Sequence, residues 1–160
     1  MPCIWGQHSN SQLFCAVAVL PATAATVAAG SIYSGQVHGC RALIDTGATT
    51  TCISRRLATI LNFQPIGKVP VHGVAGIVHH NSYLFLIAFP FNLPPNVTLS
   101  PGVQPSAGNV ATQLHVLDKV LQGCEFDGGS SARFDVLLGM DVISTGSLVV
   151  QGNGTYSFAF

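Results

Sequence analysis

The stretch LIDTGATTTCIS, Leu43 to Ser54, decides how this chain is interpreted. Two apolar residues precede Asp45, and the small and polar residues after it are typical of a strand that ends in a turn. A carboxylate beside a buried strand is costly unless it is paired or used, and no basic residue follows Asp45 until Arg55. The sequence therefore predicts an aspartate with a function at this turn.

The composition limits what the chain can be. Its 160 residues are enough for one well-formed core and short for two. Six basic and six acidic side chains give a formal charge of zero, which argues against the basic face that nucleic-acid binding needs. Only 8% of residues are charged, and Gly, Ser, Thr, Asn and Pro take the place of the missing charges. This profile predicts a β-rich protein with many turns, and it hints at surface that is buried by association.

The cysteines and histidines form no ligand pattern. Five cysteines are scattered without a Cys-x-x-Cys pair, which favours neither a disulfide framework nor a zinc site. The adjacent residues His79 and His80 have no cysteine or acid at ligand spacing. We expect no metal and no cofactor, and a reducing, cytoplasmic location.

Residues 1–30 are uncharged, and the apolar run at residues 13–30 could be interpreted as a signal peptide or a membrane anchor. No positively charged segment precedes it, and Pro21 interrupts a run too short to span a bilayer. A strand over Gln12 to Leu20 is the favoured interpretation. The alternative is a secreted or membrane-associated protein, to which the glycosylation sequons at Asn96 and Asn153 would belong.

The remaining patterns predict mostly strands with a few short helices. His38-Gly39 is typical of a tight hairpin turn between two strands. Ser54 is a candidate cap for a short helix, and another short helix can follow Gly139. Gly152 to Gly154 predicts the turn of a final hairpin.

Two further regions precede that final hairpin. A hairpin with a glycine-bearing tip at Gly73 to Gly76 is expected first, and residues 92–109 predict an irregular loop. Residues 110–123 predict a helix that stops at Gly123. Its apolar residues at helical spacing are Leu114, Leu117, Val120 and Leu121.

Three stretches, in this order, resemble the retropepsin family, the homodimeric aspartic proteases of retroviruses and their cellular and bacterial relatives. They are ALIDTGATTTCIS, VHGVAGI followed by YLFLIAF, and FDVLLGMDVI. The resemblance covers residues 31–91 and 134–160. It implies an all-β, closed-barrel-like acid protease fold, a single lobe with short helices that forms a two-fold homodimer. Residues 31–160 would be the protease domain, with an insertion at about 92–133, and residues 1–30 an N-terminal strand or extension.

The resemblance implies an aspartic endopeptidase in which Asp45 is catalytic and Thr46, Gly47 and Ala48 form the active-site loop. Two carboxylates about 3 Å apart cannot both ionise, so together they hold one proton and supply a base and an acid to a water. Among the other acids only Asp127 precedes a glycine, and it is better explained as a turn residue. One motif in a chain of this length therefore predicts a homodimer with the site on its two-fold axis.

The glycine-tipped hairpin would be a flap that closes over a peptide or protein substrate. Its residues are Gly73, Val74, Ala75, Gly76 and Ile77. Leu137, next to the turn at Gly139, is the candidate for lining the side-chain pocket, although core packing explains it nearly as well.

The chain departs from the family at a pair of charges. Retroviral members often carry an acid soon after the motif and an arginine after the late glycine, whereas Thr49-Thr50 and Met140 stand here. The alternative function is therefore a non-catalytic dimerisation or peptide-binding module with the same fold. Residues 156–160 alternate apolar and polar, and the resemblance implies that they join a sheet shared between two copies, a role that the uncharged N-terminal region could take instead.

Overall fold

The computed structural model describes residues 3–10, 12–23, 32–33, 38–73, 76–91, 113–129 and 133–160. In these ranges the chain is built mostly of strands, with two short helices, as the sequence predicted. The first strands are β1 (Cys3–Ser9), β2 (Gln12–Pro21), β3 (Ile32–Tyr33), β4 (His38–Ile44) and β5 (Cys52–Ser54), followed by helix α1 (Arg55–Ile60). The remaining elements are β6 (Gly67–Gly73), β7 (Gly76–Phe91), β8 (Gln113–Val116), β9 (Leu121–Phe126), β10 (Val136–Leu138), α2 (Met140–Ile143), β11 (Ser147–Val150) and β12 (Thr155–Ala159).

One sheet connects these strands in the order β11-β12-β1-β2-β4-β10-β5-β9-β7-β8-β3, and β6 pairs with β7. An additional pairing joins β2 to β7. Strands β2, β4, β10, β5, β9 and β7 therefore form a closed series of pairings. No helix within the described ranges is long and apolar enough to cross a membrane.

The main core is formed by residues of this series together with residues of β12 and of both helices. Alternate residues of β4 are buried, as expected for a strand with one face on a core. The largest side chains with almost no exposure are Tyr156, Phe85, Phe89 and Phe158. Because β12 supplies two of these four, the end of the chain belongs to the same core as the strands around Asp45.

Several predicted elements are confirmed. Strand β2 covers the predicted range from Gln12, and helix α1 begins after Ser54, whose hydroxyl oxygen accepts a hydrogen bond from the backbone N–H of Leu57 at 3.1 Å. Helix α2 follows Gly139. The β6–β7 and β11–β12 hairpins are also present, the former with Gly73 opposite Gly76.

The predicted helix over residues 110–123 is wrong for the part that is described. Strand β8 ends at Val116 and strand β9 begins at Leu121, and both strands pair with β7. The apolar spacing was ambiguous because two short strands with a turn between them bury Leu114, Leu117 and Leu121 as a helix would, while Val120 is exposed. Gly123 is not a helix stop but lies inside β9, where an added Cβ would be 2.2 Å from the carbonyl oxygen of Thr51.

The predicted hairpin turn at His38-Gly39 is also wrong. Both residues lie in β4, where they pair with Val19 and Ala18 of β2. The glycine therefore extends a strand that pairs over seven residues. The predicted irregular loop at residues 92–109 lies outside the described residues.

The end of the chain differs from the shared sheet that the resemblance implied. Strand β12 pairs with β1 on one edge and with β11 on the other. Both of its edges are therefore filled by the same chain. Within the described residues, the outer edge of this part of the sheet belongs to β11.

Candidate active site

Asp45 stands directly after β4, at the point where β4 and β10 run side by side in parallel. Its backbone N–H donates to the carbonyl of Leu138 at 3.0 Å, which continues the ladder by one residue. Asp45 is a half-buried residue. Its position is thus fixed by two strands whose inner residues lie in the core.

The residues after Asp45 close a tight turn around the carboxylate. Oδ1 of Asp45 accepts a hydrogen bond from the backbone N–H of Gly47 at 2.8 Å, and the Asp45 carbonyl accepts one from Ala48 at 3.2 Å. An added Cβ on Gly47 would lie 3.1 Å from Oδ1, tighter than an ordinary contact. The glycine allows its own N–H to reach the carboxylate. Thr46 is exposed.

A second segment, the turn from β10 into α2, is bound to this loop. The N–H of Met140 donates to the carbonyl of Ala48 at 2.8 Å, and the N–H of Asp141 donates to the carbonyl of Thr49 at 3.2 Å. Gly139 passes so close to the loop that an added Cβ would lie 2.6 Å from the carbonyl carbon of Thr50. Position 139 therefore has to be a glycine for the two segments to make this contact.

Asp141 stabilises the contact between these two segments, and the sequence pattern did not identify this residue. Its carboxylate accepts hydrogen bonds from the hydroxyl of Thr51 at 2.7 Å and from the Thr51 backbone N–H at 2.9 Å. The Thr51 hydroxyl oxygen in turn accepts one from the N–H of Gly139 at 3.0 Å. Bonds to a charged acceptor are stronger than neutral ones. An acid two residues after Gly139, in a chain with only six acids, was the available signal.

Leu137, the candidate pocket residue, is half-buried in the middle of a row across three strands. It lies opposite Leu43 of β4 and opposite Cys52 of β5. Directly opposed residues share one face of a sheet. This face is the one not occupied by Val136 and Leu138, which are in the core. A partly exposed, apolar row therefore runs beside the end of β4.

The hairpin predicted as a flap is described only at its stems. Gly76 has a φ of 112°, a conformation that favours glycine. Ile77 and Val78 are 60% and 53% exposed, whereas Val74 and Ala75 lie outside the described residues. No hydrogen bond joins the described part of this hairpin to the Asp45 loop, so the described contacts group Asp45 with Gly47, Ala48 and Gly139 but not with the hairpin.

Asp127 occupies a turn, as predicted. Its Oδ1 accepts a hydrogen bond from the backbone N–H of Gly129 at 3.1 Å, and its Oδ2 accepts one from Arg55 at 3.2 Å. The side chain is exposed. Within the described ranges, no three His, Cys, Asp or Glu residues are grouped so as to hold a metal ion.

Comparison with solved structures finds a similarity to a retropepsin-like aspartic protease from Rickettsia conorii. The two chains share 9% sequence identity with a TM-score of 0.44, over 94% of this chain and 95% of that chain. No family model and no curated protein matches the sequence.

Proposed function

We propose that this protein is an aspartic endopeptidase that hydrolyses peptide bonds with a pair of Asp45 carboxylates, one from each chain of a two-fold homodimer. The observation that carries the proposal is the Asp-Thr-Gly-Ala turn, in which the carboxylate of Asp45 is held by the Gly47 N–H at 2.8 Å. The turn ends a core strand and is tied to the Gly139 segment. In this proposal the closed series of strands is the closed-barrel-like acid protease fold.

The chemistry follows from two identical carboxylates that share one proton. The ionised carboxylate takes a proton from a water, which attacks the carbonyl carbon of the peptide, while the protonated one donates to the carbonyl oxygen. Collapse of the tetrahedral intermediate breaks the C–N bond, the leaving nitrogen takes up the proton that came from the water, and a hydroxyl of the intermediate returns a proton to the other carboxylate. One proton must stay on the pair, so activity is expected to be favoured at acidic pH.

The surrounding residues have supporting roles in this proposal. Thr46 and Ala48 shape the loop beside the substrate backbone, and the hairpin residues from Gly73 to Ile77 close over the peptide and exclude water. The half-exposed row around Leu137 accepts an apolar side chain of the substrate. A substrate in extended conformation with apolar residues beside the cleaved bond fits this arrangement.

The decisive experiment compares Asp45→Asn with Asp127→Asn, because both replace an acid that precedes a small-residue turn. Asp45→Asn is expected to lower cleavage of a peptide library by about 10³-fold or more, since the pair loses its base, and Asp127→Asn is expected to leave cleavage unchanged. A statine-type peptide, whose hydroxyl stands in for the attacking water, is expected to inhibit the wild-type protein. Full activity of Asp45→Asn would remove the mechanism. A wild-type dimer that binds peptides without cutting them would establish the non-catalytic alternative.

A further inference from the structure

Two cysteines for which the sequence analysis found no role lie side by side next to the candidate site. The Sγ atoms of Cys52 and Cys124 are 2.8 Å apart, and both residues are free thiols. Strands β5 and β9 pair in parallel with Ile53 opposite Glu125. One residue earlier in each strand, the same register places Cys52 opposite Cys124.

We propose that Cys52 and Cys124 form a reversible oxidation site, in which a peroxide converts the two thiols into a disulfide that joins β5 to β9. Neighbouring strands lie about 4.8 Å apart, within the range of about 4.4–6.8 Å that the Cα atoms of a disulfide span. The backbone is therefore already placed for the bond. The 72 residues that separate the two positions explain why no sequence motif reveals the pair.

The hydrogen bond between the two thiols makes them chemically unequal. The bond to the Cys52 thiol favours the thiolate form of Cys124 and lowers the pKa of Cys124, while the same bond raises the pKa of Cys52. A thiolate is the form that attacks a peroxide. Burial, in contrast, raises the pKa of both Cys15 and Cys40 to about 12, so these thiols stay protonated.

The oxidation balances with one peroxide. The Cys124 thiolate attacks a peroxide oxygen, the S–O bond forms, the O–O bond breaks, and the hydroxide that leaves is protonated to water. The Cys52 sulfur then attacks the sulfenic sulfur of Cys124, the S–S bond forms, the S–O bond breaks, and a second water leaves with the Cys52 proton. Two thiols lose two electrons in total, and an external thiol restores them by exchange.

The Cys52–Cys124 disulfide would act on the segment that follows Asp45. Cys52 follows Thr51 directly, and its Sγ also lies 3.6 Å from the carbonyl oxygen of Thr50. Cys52 is opposite Leu137 as well. Any effect of the disulfide on catalysis rests on the proposed function. The disulfide would act by fixing the end of the active-site loop and the partly exposed row around Leu137.

The experiment treats the whole protein with hydrogen peroxide, blocks the remaining thiols and maps the cysteines by mass spectrometry of a digest. The expected result is a cross-linked pair of peptides that contain Cys52 and Cys124, lost again on addition of a dithiol. The thermal midpoint should rise by about 5 °C or more in the oxidised protein, because the bond closes a long loop. Recovery of Cys52 and Cys124 as blocked free thiols after treatment, or pairing of either with another cysteine, would overturn the proposal.

Three variants test the order of the steps. Cys52→Ser removes the resolving thiol, so a dimedone adduct should accumulate on Cys124, whereas Cys124→Ser should give no adduct on Cys52. Cys3→Ser, which removes another partly exposed thiol, should leave the cross-link intact. Adducts on Cys52 alone would overturn the assigned order. Because the cross-link is read from mass and not from cleavage, its outcome is independent of whether the protein hydrolyses peptides.

Discussion

Asp141 holds the segment after Asp45 in place through hydrogen bonds to a single buried residue, Thr51. Thr51 has no exposed surface, so its N–H and hydroxyl depend on this carboxylate. The position of Asp45 in a turn at the end of a strand could be predicted from the apolar residues before it and the glycine after it. The role of Asp141 could not, because its partner lies 90 residues away and is found only when the two segments meet.

Replacing Asp141 tests how much its hydrogen bonds with Thr51 stabilise the fold. Asp141→Ala leaves two buried polar groups of Thr51 without an acceptor and should lower the free energy of unfolding by about 2–4 kcal/mol. Asp141→Asn keeps one acceptor oxygen and should cost less, about 1 kcal/mol. Urea unfolding measures both, with the exposed Asp118→Ala as the control, expected within about 0.5 kcal/mol of wild type. Equal stability of Asp141→Ala and Asp118→Ala would show that the hydrogen bonds between Asp141 and Thr51 do not stabilise the fold.

Another acid, the buried residue Glu125, makes stability depend on pH. Burial by itself raises the pKa of Glu125, but the hydrogen bond from Tyr83 at 2.8 Å and the charge of Arg55 outweigh it, and the net result is a pKa below the ordinary value of 4.5. A lowered carboxylate pKa stabilises the folded state fully above the ordinary value, and that contribution is lost as the pH falls through the folded pKa.

Stability should therefore fall as the pH is lowered below about 4.5, in part because Glu125 becomes protonated. Glu125→Gln cannot take up this proton, so its unfolding free energy should fall less steeply over the same interval. Tyr83→Phe should also flatten the curve, since it removes the hydrogen bond that favours the charged form. The measurement is urea unfolding at pH 7, 5, 4 and 3. Parallel curves for wild type and Glu125→Gln would contradict the assignment.

Secondary structure elements show where sequence patterns suffice and where they fail. The strand before Asp45, the helix after Ser54 and the final hairpin follow from local signals, namely apolar alternation, a capping hydroxyl and turn glycines. The two strands between Gln113 and Phe126 do not follow from local signals, because the apolar spacing of this region suits a helix as well as two strands. Pairing with β7 and β5 decides between them, and such non-local pairing leaves no trace in a short stretch of sequence.

Gly123 is the residue at which this pairing can be tested. A Cβ at Gly123 would lie 2.2 Å from the carbonyl oxygen of Thr51 and 2.7 Å from the ring of Phe85, so β5 and β7 would have to move. Gly123→Ala should therefore lower the unfolding free energy by about 2–4 kcal/mol. Gly67 is the matched control, because it also lies in a strand and has no atom within 4 Å of its Cβ position. Gly67→Ala should be neutral within about 0.5 kcal/mol, and a similar loss in both variants would contradict the close approach.

At the scale of the whole molecule, the proposed catalytic pair requires a second copy, and one face of the sheet is suited to receive it. Strands β1, β11 and β12 contain no Asp, Glu, Lys or Arg. Trp5 and Val149 both lie opposite Ser157, on the two sides of β12, so they share one face. They are 75% and 48% exposed. An uncharged face with an exposed tryptophan is typical of a surface that another protein covers.

We therefore expect Trp5→Ser to weaken the dimer, with a rise of about 30-fold in its dissociation constant, the size expected when an aromatic anchor worth about 2 kcal/mol is lost. Ile60→Ser is the matched control, because Ile60 is 52% exposed on α1, outside this face. Sedimentation gives the dissociation constant of each variant, and cleavage per chain is measured over the same concentrations. Since each site needs both chains, activity should fall in step with the dimer as Trp5→Ser is diluted, and return when its concentration is raised. Undiminished cleavage by a monomeric Trp5→Ser protein would mean that one chain suffices, and the shared pair of aspartates would have to be abandoned.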